Sequence, residues 1–115
     1  MPNYWDERRF QRLHADYCRQ PTFALAETIT ADFFVPLARE YLRGGEVRLR
    51  NADPEEVAQI AAIRCFEKLD RYDATRGGAF GYFTKLCHRV ALSEEIRATV
   101  YASRHVSADA PVDAP

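Results

Sequence analysis

The chain predicts an all-α fold, a small orthogonal bundle of four or five helices, and three observations lead there. Apolar residues recur at helical spacing in every long segment. The breaks between those segments, Gln20-Pro21, Gly44-Gly45 and Gly77-Gly78, are stop signals for helices. Residues 46–52, EVRLRNA, alternate as a strand would but have no second strand to pair with, so a loop is expected there.

Residues 4–18 predict a short first helix, with Phe10, Leu13 and Tyr17 on one face and Arg8, Arg9 and Arg12 among them. Gln20 precedes a proline and is pushed out of the helical region, which ends the element. A second helix is expected from Thr22 to about Arg43, striped by Ala26, Ile29, Phe33, Leu37 and Tyr41. Pro36 falls inside that stripe and should kink or split it. Asp53-Pro54-Glu55-Glu56 is a strong helix start: a capping Asp, proline in the first turn, and acids at the positive end of the dipole. This third helix is expected to reach about Tyr72. Val57, Ala58, Ile60, Ala61, Ile63, Cys65, Phe66 and Leu69 would make its apolar face, and Glu56, Gln59, Arg64, Glu67 and Arg71 its polar side. After the turn at 73–78 a fourth helix runs from Ala79 to at least Arg97. Its core stripe is Phe80, Phe83, Leu86, Cys87, Val90 and Ala91; the other side carries Tyr82, Lys85, His88, Arg89, Leu92 and Ile96. Three stretches follow: an N-terminal helix or arm over 1–21, a helical domain over 22–102, and an acidic, proline-bearing tail over 103–115 that reads as disordered.

At 115 residues with 47% apolar content, one hydrophobic core is affordable without disulfides or a metal. The formal net charge of −1 excludes a global field that would draw the chain onto nucleic acid; contact with DNA needs a local patch or a larger assembly supplying cations. Cys18, Cys65 and Cys87 form no CxxC pair and no histidine pair has ligand spacing, so neither metal nor cofactor is expected. The charged start MPNYWDERRF does not read as a signal peptide, and no segment has the roughly 18 apolar residues of a membrane span. A cytoplasmic protein is expected.

The most pointed local feature is Phe80, Tyr82 and Phe83, followed by Lys85, His88 and Arg89. Aromatics interleaved with cations can stack unpaired bases while gripping the adjacent phosphates. Tyr82, Lys85 and Arg89 share one stripe, and Tyr82 is the ring expected at the surface. On the third helix Glu56, Gln59, Arg64 and Glu67 could dock on a partner or face water. Catalytic arrangements are poor. His88, Ser93, Glu94 and Glu95 lie on one helix and cannot converge, and Gly77-Gly78 lacks the strand and Lys-Ser/Thr of a phosphate loop, so no enzyme is expected.

Taken in order, FFVPLAREYL, DPEEVAQIAAIRCFEKLDRYD and TRGGAFGYFTKL resemble region two of bacterial sigma factors, and Phe80-Gly-Tyr-Phe-Thr84 is especially similar to the short late-transcription sigma factors of tailed bacteriophages. The likeness spans roughly residues 30–98. It implies a sigma-like initiation factor that binds core RNA polymerase and recognises and melts a minus-ten promoter element as part of the holoenzyme. By position, Glu56, Gln59, Arg64 and Phe66 match the surface that binds the clamp helices of the largest polymerase subunits. Arg76, Phe80, Tyr82 and Phe83 match the melting segment, with Phe83 at the base-stacking position although its helical phase points it to the core. Lys85, His88, Arg89 and Ser93 match contacts to the strand and its backbone. Two departures stand out. Leu86 and Cys87 replace the family's paired tryptophans, leaving a weaker melting step or one that uses Tyr82, and Ser93-Glu94-Glu95 replaces a basic run. These departures suit an alternative: a polymerase-binding regulator, an inhibitor or appropriation factor, that does not itself melt DNA.

Overall fold

The computed structural model describes the backbone of residues 2–113 and the side chains of residues 2–104. Within them the chain is all-helical, as the periodicity predicts. The elements are α1 (Glu7–Arg19), α2 (Phe23–Ile29), a single π-helical turn (Thr30–Phe34), α3 (Val35–Arg43), α4 (Pro54–Glu67), a 3₁₀ turn (Leu69–Arg71) and α5 (Ala79–Asp113). The tail from 103 on, expected to be disordered, continues α5 as helix to Asp113, and its side chains from His105 on lie outside the described residues.

The helix starts follow the capping chemistry. Asp6 accepts from the Arg9 amide at 3.1 Å, Thr22 from Leu25 at 3.1 Å, and Asp53 from Glu55 at 3.2 Å. At the far end of α3, Gly45 adopts a φ of 75°, a left-handed conformation that suits glycine. The second predicted helix divides as Pro36 requires. Proline has no amide hydrogen, so it is tolerated in a first turn, where it sits here. The chain widens just before it, and the Val35 amide reaches back five residues to the Thr30 carbonyl. The wider turn lets the consecutive rings of Phe33 and Phe34 both face inward, at 1% and 0% exposure.

The core is an aromatic cluster wrapped by helices. Phe10 lies 5.3 Å from Phe33, 5.7 Å from Phe83 and 6.1 Å from Tyr72, and Phe34 is 4.8 Å from Phe83. Trp5, ahead of α1, stacks on Phe10 at 5.1 Å and is buried. α1 thus supplies a central ring of the core, Phe10. Small residues let α4 come close to α3 and α5, since Ala58, Ala61, Ala62 and Cys65 are all buried. Cys65 and Cys87 face each other with sulfurs 3.9 Å apart, and that contact together with burial pushes the Cys65 thiol well up, keeping it protonated. α4 itself stops at Glu67, earlier than expected, because the chain tightens into the 3₁₀ turn before Tyr72.

Two carboxylates far apart in sequence anchor α5, one at its first turn and one midway along it. Glu7 accepts from the amides of Ala79 (2.9 Å) and Phe80 (3.2 Å), the first turn of α5, and also from Trp5 Nε1 and Gln11 Nε2. Desolvation alone would raise its pKa, but these bonds outweigh it and hold the carboxyl below its ordinary range. Glu95 accepts from the amides of Arg50 (3.0 Å), Asn51 (3.1 Å) and Ala52 (3.0 Å), tying the 44–52 loop to α5. The Ala52 amide leads in holding Glu95 down to about 2, against a desolvation that opposes it.

The Glu95 anchor has a pH signature. A folded pKa below the unfolded one means the contribution is complete above about 4.5 and is lost as pH falls toward about 2. Amide exchange at Arg50, Asn51 and Ala52 should therefore be slow at pH 5 in the natural chain and fast in Glu95→Gln. That difference should close on acidification through this window, and a loop equally protected in the variant at pH 5 would refute the anchor.

Candidate nucleic-acid interface

A trough runs along the seam between the end of α4, the 3₁₀ turn and the first half of α5. It includes a cleft of about 460 Å³, lined by Arg71, Tyr72, Asp73, Arg76, Tyr82, Lys85 and the glycines of the 77–81 segment. Arg71, Tyr82 and Lys85 also line the next hollow along, together with Lys68, Leu86 and Arg89. Lys68, Leu86 and Arg89 continue into a third of about 350 Å³, with Arg64, Ser93, Glu94 and Arg97. Among the described residues seven cations thus border one continuous groove (Arg64, Lys68, Arg71, Arg76, Lys85, Arg89 and Arg97), with Asp73 and Glu94 as the acids that line it. Arg64 pairs with Glu67 at 3.8 Å and Arg97 with Glu94 at 3.4 Å. Lys68, Arg71, Lys85 and Arg89 have no ion-pair partner among the described residues. A chain of net charge −1 thereby concentrates positive charge where a phosphate backbone could lie.

Of the three aromatics opening α5, the structure leaves one available. Tyr82 is 38% exposed, its ring backed by Tyr72 at 5.4 Å and Phe83 at 4.9 Å, and it faces the main cleft. Phe83 is fully buried among Phe10, Phe34 and Tyr72. In this arrangement it cannot stack on a base, and the helical phase, not the family position, describes it. Phe80, which the resemblance places in the melting segment, is half-buried against Trp5 (5.6 Å) and Tyr4 (6.3 Å). The amides at the start of α5, which could otherwise hold an anion, are occupied by Glu7. Arg76, Lys85, Arg89 and Ser93 are exposed along the trough. His88 sits on the other flank of α5, its Nδ1 hydrogen-bonded to the Tyr41 hydroxyl.

The acidic pair on α5 does not confront this groove as two free charges. Glu95 is turned to the loop amides and Glu94 is paired with Arg97. Of the adjacent pair Leu86 and Cys87, Cys87 is 1% exposed and presents no surface to a strand, whereas Leu86 is half-buried against the core and also lines the trough.

The second candidate face is on α4. Glu56, Gln59 and Arg64 are exposed, as a docking surface requires. Phe66 is not part of it, since its ring packs edge-on against Tyr17 at 6.2 Å. Ile63, expected in the core, is 56% exposed, and Ala62 takes the buried place instead. Glu56, Gln59, Ile63 and Glu67 then fall at i, i+3, i+7 and i+11, one polar stripe with a single apolar centre. Sequence reasoning also missed Lys68, Arg71 and Arg97 in the trough. Lys68 and Arg71 are three apart across the 3₁₀ turn, a signal that helical spacing alone assigns to solvent.

Among the described residues no group of three His, Cys, Asp or Glu side chains could hold a metal ion, and no helix is long and apolar enough to cross a membrane. No protein-family model, curated protein or solved structure matches the chain.

Proposed function

We propose that the chain is a sigma-like transcription initiation factor, acting in the cytoplasm of a bacterial or phage-infected bacterial cell. It docks on the clamp helices of core RNA polymerase through the Glu56–Gln59–Ile63 face of α4 and presents the α5 trough to promoter DNA. The observation that carries this reading is Tyr82, exposed at the centre of a seven-cation groove on a chain whose overall charge is slightly negative. Because the overall charge is slightly negative, the polymerase must supply most of the grip on duplex DNA. Opening the minus-ten element costs a few kcal/mol per flipped base, which stacking on Tyr82 and phosphate contacts from Arg71, Arg76 and Lys85 can offset.

Run-off transcription with purified core polymerase tests this. The natural chain should start transcripts at a minus-ten element. Tyr82→Ala, which removes a stacking partner worth about 1–3 kcal/mol, should lower open-complex formation by roughly tenfold. Transcripts at undiminished levels from Tyr82→Ala would take the ring out of the mechanism.

One observation favours the second reading, a polymerase-binding regulator that inhibits or appropriates the enzyme without melting DNA. The positions of the family's tryptophan pair hold a buried cysteine and a core-packed leucine. The same assay separates the two, since such a regulator suppresses transcription by the host factor and starts none.

A further inference from the structure

On the flank of α5 away from the Tyr82 cleft lies a second hollow of about 300 Å³, lined by Tyr41 of α3, Glu46 of the loop, and Thr84, Lys85, His88 and Arg89 of α5. Its hydrogen bonding runs in one direction. The Tyr41 hydroxyl donates to Glu46 Oε2 at 3.0 Å, so its oxygen is left to accept from His88 Nδ1–H. Burial, and then Glu46, push the Tyr41 hydroxyl up to about 12, which keeps it protonated and able to donate. The relay fixes the His88 tautomer and leaves Nε2 as the free ring nitrogen. Thr84 also lines the hollow, but its Oγ1 is buried and presents no surface to a ligand. The hollow thus gathers an ammonium, a guanidinium and an imidazole, with its one carboxylate engaged by the Tyr41 hydroxyl.

We propose that this hollow is a phosphodiester subsite for a single nucleic-acid strand, with Tyr41 and Glu46 as positioning residues that set His88 to receive a phosphate oxyanion. The inference rests on the reading of the Tyr82 trough as a strand-binding groove. Lys85 and Arg89 line both hollows, so a strand crossing the ridge they form passes from one to the other. Tyr82 and His88 are six residues apart on one helix, about 9 Å along its axis, which is two to three rises of a stacked strand at about 3.4 Å each. A phosphate there favours the protonated imidazole, so binding tightens as pH falls. The titratable and charged groups facing His88 are Tyr41, Glu46, Lys85 and Arg89, with the buried Cys87 thiol beneath Tyr41.

The test follows the His88 Hε1 resonance of the full chain against pH, at low salt, alone and with excess oligo-deoxythymidylate six residues long. The oligonucleotide should raise the His88 midpoint by about half a unit or more, which is roughly a threefold preference for the protonated form. His88→Gln should flatten the gain in oligonucleotide affinity between pH 8 and pH 5.5, whereas Lys85→Ala should weaken binding at both. An unmoved His88 midpoint, or a His88→Gln variant with the full pH dependence, overturns the subsite. Inorganic phosphate at the same phosphorus concentration is the second arm, and an equal shift from it alone assigns the hollow to a free anion and overturns the strand path. A responding His88 in a chain that fails to start transcripts sinks the initiation reading and leaves the subsite standing. A silent His88 in a chain whose transcription depends on Tyr82 does the reverse.

Discussion

Phe83→Ala is expected to cost the fold about 3–5 kcal/mol, the range for removing a fully buried aromatic and leaving a cavity. The ring touches Phe34, Tyr72 and Phe10 and so joins α5 to the π turn, the segment before α5, and α1 at one point. Small domains hold only about 5–15 kcal/mol in reserve, so the variant should be partly unfolded at moderate temperature. The neighbouring Tyr82→Ala should cost less than about 1 kcal/mol, because its ring is already partly in water. Urea unfolding followed by circular dichroism measures both. A Phe83→Ala midpoint at the natural value would mean that the ring is not a structural keystone, and would return it to the list of candidate base-stacking groups. Phe83→Leu separates the roles further: it fills most of the cavity but cannot stack as an aromatic, so it should keep both fold and transcription.

The contrast between Phe83 and Tyr82 shows what could be read from residue order and what could not. Helical phase alone placed Phe83 inward and Tyr82 outward, because α5 has one clear apolar stripe and a polar opposite side. The same reasoning failed on α4. Val57, Ala58, Ile60, Ala61, Ala62, Ile63, Cys65 and Phe66 surround that helix almost completely, so phase has nothing to choose between, and packing decides. Alanines at 58, 61 and 62 bring neighbouring helices close, and the larger Ile63 is rotated out. Ends of helices were legible where a local signal exists, as at Asp53-Pro54 and Gly44-Gly45. The π turn has no such signature beyond a proline that demands some adjustment. Glu7 and Glu95 were invisible for a different reason: each bonds to backbone amides more than 40 residues away, and no spacing rule reaches that far. The trough is likewise a tertiary object. Lys85 and Arg89 could be picked out beside the aromatics, but Lys68 and Arg71 join them only because the 3₁₀ turn folds back along α5.

Ile63→Asp should leave stability nearly unchanged and remove binding to core polymerase. At 56% exposure the side chain contributes little to the core, and surface changes of this kind usually stay within about 0.5 kcal/mol. A lone exposed isoleucine is ordinary on a protein surface. What distinguishes this one is its place, flanked along the helix by Gln59 and Glu67 with Glu56 one turn further, a polar rim around an apolar centre. Buried in an interface, such a centre behaves as a hot spot. Replacing it with a carboxylate would both lose the contact and strand a charge, so the expected loss is about 2 kcal/mol or more, roughly 30-fold in affinity. Glu56→Arg should act in the same direction through the rim, with a smaller effect that fades at high salt. Co-purification with core polymerase, backed by a fluorescence titration, reads all three proteins. Natural affinity in Ile63→Asp, with its unfolding midpoint unchanged, would move docking off this side of α4. The DNA contact proposed for the trough would then need another route, because a chain of net charge −1 has too little attraction of its own to hold a duplex.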